Sequence, residues 1–61
     1  QLDFFETQVY NALQEGERHI EELSKDTKMD IQKLNSVLTM LEVKGIVKQM
    51  PGKIFIKTWD A

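Results

Sequence analysis

Cysteine is absent from the 61 residues, and histidine, arginine, proline, tryptophan and tyrosine occur once each. Without cysteine there is no disulfide framework and no thiolate metal site, a composition that fits a reducing, cytoplasmic setting. The lone histidine, His19, has no cysteine or ordered carboxylate pattern around it to complete a metal site, so no metal and no cofactor is expected. No apolar run approaches the roughly 20 residues a membrane helix needs. A basic segment followed by an apolar one, the mark of a signal peptide, is missing as well. Arginine, the best bidentate reader of guanine, stops at Arg18, which argues against sequence-specific base readout by the second half of the chain. Methionine does not open the chain; Gln1 does, and the expectation is a piece of a longer protein.

The residues that remain are those of an ordinary globular protein, 41% hydrophobic and 30% charged. At this length one domain over residues 1–61 is expected, burying about 60% of the surface exposed by the unfolded chain. Net charge is −2, but it is divided unevenly. Residues 1–24 carry six acidic side chains and one basic; residues 25–61 carry seven lysines and four acids. Only the second half has an electrostatic footprint suited to nucleic acid, and it is weak.

Along the chain, DFFETQVYNALQ sets Phe5, Val9, Ala12 and Leu13 at helical spacing, and Asp3 with Glu6 offers a capping box at the start. Gly16 ends this helix. RHI follows as a short extended piece, and IEELSKDT reads as a second helix with Ile20 and Leu23 inward. After the tight connection Thr27-Lys28-Met29, Asp30 can cap a third helix whose apolar stripe is Ile31, Leu34, Leu38 and Leu41. Gly45 suits the left-handed position that closes a helix. IVKQM and IFIKT then have the composition of strands, with Pro51-Gly52 as the turn between them. An isolated hairpin is marginal in water, so this one should lean on the helices and pair with the RHI segment. The expected fold is a winged helix-turn-helix: mainly α, three helices, with a two- to three-stranded antiparallel sheet.

No catalytic constellation stands out. Glu21 and Glu22 point about 100° apart on a helix, Ser24 and Ser36 lack a general base, and no glycine-rich phosphate loop occurs, so an enzyme is not expected. As a helix-turn-helix, the third helix would present Gln32, Lys33, Asn35 and Ser36 to nucleic acid, with Lys28 in the preceding turn and the wing lysines Lys48, Lys53 and Lys57 near the backbone. A polar face opposite an apolar stripe is also what any surface helix has, and lysines on a hairpin discourage edge pairing. Asp30 stands where a phosphate would meet the helix N-terminus, and its carboxylate competes there. A second candidate surface is apolar. Strand alternation puts Ile54 and Ile56 opposite Phe55, and with Met50 and Trp59 they offer a protein-docking or self-association patch.

The run Leu41-Glu42, Gly45, Val47, Pro51-Gly52 and Phe55, preceded by HIEEL at residues 19–23, resembles the C-terminal winged-helix domain of the DNA-processing protein A family, DprA or Smf. The resemblance covers about residues 5–57. Three positions depart from the family pattern: Glu21 where aspartate is common, Lys28 where glycine is usual, and Asp30 where a small cap is typical. The resemblance implies a protein of natural transformation, whose family binds incoming single-stranded DNA and helps load the RecA recombinase. In that family a Rossmann-like domain, not present in these residues, is the principal DNA-binding and dimerising unit. The winged helix would then be an accessory, making weak contact with DNA without sequence preference; the alternative it leaves open is an interaction module that touches a protein and no DNA.

Overall fold

The computed structural model describes residues 2–58. Helix α1 (Phe4–Ala12) is followed by strand β1 (Arg18–His19), helices α2 (Ile20–Thr27) and α3 (Ile31–Val43), and the hairpin β2 (Val47–Met50) and β3 (Ile54–Lys57). The expected winged helix is the fold observed. The sheet is antiparallel in the order β1-β3-β2, so the RHI segment does pair with the hairpin, through Arg18 opposite Phe55 and His19 opposite Ile54.

Each helix begins on a side chain that satisfies backbone donors left open by the first turn. Asp3 accepts from the Glu6 N–H at 2.8 Å while the Glu6 carboxylate accepts from the Asp3 N–H at 2.9 Å, the reciprocal box expected from the sequence. His19 does the same for α2 with its Nδ1, which accepts from the Glu21 N–H, and Glu22 closes that box on the His19 N–H. Asp30 caps α3 through the Lys33 N–H at 2.7 Å. The far end of α3 closes with two hydrogen bonds, Ile46 N–H to the Leu41 carbonyl and Gly45 N–H to that of Glu42, both 3.0 Å. That reversal requires the left-handed backbone Gly45 adopts, at φ +76°.

The core joins Val9 and Leu13 of α1 and its C-terminal end, Ile20 and Leu23 of α2, Met29, Leu34, Val37, Leu38 and Leu41 of α3, and Val47 and Phe55 of the sheet. Two positions of the expected apolar stripes lie at its edge instead. Phe5 and Ile31 remain exposed, and Val37, outside the expected stripe, is buried. The reason is geometric: the inward arc of α3 centres on Leu34, Leu38, Leu41 and Val37, and Ile31 begins the helix on the flank nearest the wing.

Glu6 is the one buried carboxylate among the described residues. The Lys44 ammonium donates to its Oε1 at 2.7 Å, joining the start of α1 to the end of α3. That hydrogen bond first, and the Asp3 N–H second, hold the Glu6 carboxyl below its ordinary pKa against the opposing effect of burial. No described helix is long and apolar enough to cross a membrane.

Candidate nucleic-acid interface

Helix α3 turns its buried side to α1, α2 and β2 and leaves Gln32, Lys33, Asn35, Ser36 and Thr39 exposed. At about 100° per residue these side chains do not form one surface. Gln32, Ser36 and Thr39 run along the outermost line. The Ser36 and Thr39 hydroxyls donate back to the Gln32 and Asn35 carbonyls, at 3.5 and 2.8 Å, the local pairing these residues favour on helices. Lys33 lies on the α1 flank, where its ammonium sits 3.9 Å from the centroid of the Phe5 ring. Phe5 thus supports a cation instead of filling the core, an attraction that keeps the lysine at the surface and oriented.

Asn35 lies on the other flank, one turn after Ile31, and faces the wing across a cavity of about 130 Å³ shared with Gln49 and Lys53. Gln49 was not among the residues expected from the sequence. It alternates with Lys48 and so shares the inward face of Val47, a signal present in the strand pattern; that α3 stands opposite that face is set only by packing. The wing turn occupies Pro51, Gly52 and Lys53, and both Gly52 and Lys53 have left-handed backbone, at φ +84° and +61°. The Ile20 N–H donates to the Lys53 carbonyl at 3.0 Å and ties the tip of the wing to the start of α2.

The expected contact residues therefore separate into groups. Asn35 and Lys53 meet at the cavity; Gln32 and Ser36 line the outer face; Lys33 lies toward α1. Lys48 is exposed on the outer side of the sheet, and Lys28 is exposed in the α2–α3 turn with left-handed backbone at φ +60°. Lys57 lies on the inward face of β3, where its ammonium donates to the Gln14 Oε1 at 3.0 Å and lies 5.8 Å from the Tyr10 ring centroid, a contact with the α1 region that the strand pattern did not indicate.

The outer side of the wing groups Lys48, Met50, Ile54 and Ile56, through the pairs Lys48 with Ile56 and Met50 with Ile54. The three apolar side chains are half-buried and form the second candidate surface; Trp59, expected to extend it, lies outside the described residues. A larger depression, about 480 Å³, separates α1 from α2 and is lined by residues such as Gln8, Asn11, Glu15 and Asp26, none of them from α3 or the wing. Among the described residues no group of three or more histidine, cysteine, aspartate or glutamate side chains could hold a metal ion.

No curated protein and no solved structure matches the chain. The model of one family does, the DprA winged helix domain, over residues 2–53, which is most of the sequence and takes in all three helices, β2 and the wing turn. Capped helices, three-stranded wing and family match agree: the chain belongs to the DprA winged-helix domain family.

Proposed function

We infer that this DprA-family winged-helix domain is an accessory contact for single-stranded DNA, without sequence preference, in a cytoplasmic protein of natural transformation that helps load RecA. The observation that supports it most is the character of α3 beside the wing. From Ile31 to Leu41 the helix has no carboxylate; its exposed Asn35 shares a cavity with the wing lysine Lys53, and Gln32 and Ser36 are exposed on the outer face beside it. Lys28, Lys33 and Lys48 add positive charge around them. A few lysines give weak, salt-sensitive attachment. Such attachment still counts when a stronger site on the same protein raises the effective concentration.

Titration with labelled single-stranded and duplex oligonucleotides at low salt tests this. Binding is expected, stronger for the single strand, and weakened by Lys33→Glu and Lys53→Glu. Asp30→Asn should strengthen it, because asparagine caps a helix as well as aspartate does and no longer repels phosphate. No binding at millimolar protein ends the proposal.

The outer wing supports a second reading, a docking surface for RecA, another transformation protein or a second copy. It rests on Met50, Ile54 and Ile56 sharing one half-buried face. Concentration- or partner-dependent chemical-shift changes at those residues, with none along α3 on adding DNA, would favour it over the first.

A further inference from the structure

The cavity between α3 and the wing has a lining unlike the rest of the surface. Ile20, Ile31 and Phe55 supply apolar walls, Asn35 and Gln49 supply two primary amides, and Lys53 stands at the wing tip; no carboxylate lines it. Neither amide is hydrogen-bonded to another of the described residues through its side chain. The volume, about 130 Å³, is close to that of an apolar cavity of about 150 Å³ that takes up benzene, so it has room for one six-membered ring. Ile31, which the core leaves exposed, has its place here as a wall. The backbone of Lys53 is held beside the cavity by the tie of its carbonyl to α2.

Resting on the single-strand reading above, we propose that this cavity is a pocket for one unstacked pyrimidine base of single-stranded DNA. The ring packs between Ile31 and the Ile20 and Phe55 side, the Asn35 and Gln49 amides meet the donors and acceptors of its Watson–Crick edge, and Lys53 faces the adjoining phosphate. Each amide offers both a donor and an acceptor, so thymine and cytosine are both accommodated and neither is selected; the pocket adds only a preference of size, pyrimidine over purine, to phosphate contacts that are independent of sequence. A duplex keeps its bases stacked and cannot fill a concave site; a single strand can turn a base out at little expense. A free phosphate has no use for the apolar walls, and a purely apolar ligand would leave two amides and a lysine without partners.

The test compares three labelled oligomers of equal length with this 61-residue chain at low salt: oligothymidylate, oligodeoxyadenylate, and a chain of abasic sites with the same phosphates. Oligothymidylate should bind roughly thirtyfold more tightly than the abasic chain, since two amide hydrogen bonds of ordinary net strength correspond to about that ratio. In N35A/Q49A, both substitutions of exposed side chains, the difference should collapse while affinity for the abasic chain and the unfolding midpoint stay as they were. Equal binding of oligothymidylate and the abasic chain, or a difference that survives in the double variant, overturns the pocket and leaves backbone contact standing. Oligodeoxyadenylate bound as well as oligothymidylate overturns the restriction to pyrimidines. Failure of all three oligomers to bind removes the single-strand reading and the pocket with it.

Discussion

Glu6 and Lys44 meet across 38 positions of sequence, and the carboxylate is buried while the lysine keeps about a third of its side-chain surface in water. The carboxyl is held below its ordinary pKa, chiefly by the lysine, and this has a definite pH consequence. Stability from the pair is complete above the unfolded glutamate pKa of about 4.3 and is lost as pH falls through the lower folded-state value. Chemical denaturation followed from pH 7 downward should show that acid loss, and Glu6→Gln should flatten this part of it; an unaltered profile would count against the pair. Lys44→Met leaves the buried carboxylate without its cation and should cost about 1 to 3 kcal/mol at pH 7, below the full buried-pair penalty because Lys44 is partly solvated. The loss should shrink in acid, where Glu6 becomes neutral. Glu6 was legible in the sequence as a capping residue, and that role is observed; its second partner was not, because nothing local brings Lys44 to it. Phe5 is similar. Spacing assigned it to the core, whereas the lysine on a neighbouring helix gives its ring a use at the surface.

Among the elements, the turn between α2 and α3, like the wing turn at Lys53, holds a lysine in left-handed backbone. Lys28 ends α2 with left-handed backbone at φ +60°, a conformation in which any side chain meets the following carbonyl and glycine does not. That accounts physically for the glycine usual at this place in the family resemblance. Lys28→Gly should raise stability by about 0.5 to 1 kcal/mol, the relief of the left-handed penalty being offset in part by the freer unfolded chain. Thermal unfolding reads it as a higher midpoint, and a lower one would mean that the Lys28 side chain contributes more than its backbone loses. Helix starts, the glycine end of α3 and both wing strands could be read from sequence, because caps, stop signals and period-two alternation are local. Ile31 could not. It satisfies the spacing of the stripe, but whether the first turn of α3 is covered depends on how far the wing reaches over it.

For the molecule as a whole, the division of charge decides how DNA contact should respond to salt. Lys28, Lys33, Lys48 and Lys53 are all exposed, and if each meets one phosphate of a single strand, log K should fall with log salt with a slope of about −3. A slope near zero would exclude phosphate contact, and a much steeper one would require cations beyond these four. By itself the sequence determined the winged helix, the caps of α1 and α3, the order of its elements and, through the Leu41 to Phe55 run, its family, because each of these is written in neighbours along the chain. Only the tertiary structure decided that Glu6 is buried against Lys44, that Lys57 belongs to the α1 contact, and that Asn35, Gln49 and Lys53 surround one small cavity. The physical reason is the same in all three cases: a periodic pattern says which side of an element faces inward, and packing alone says what stands opposite it.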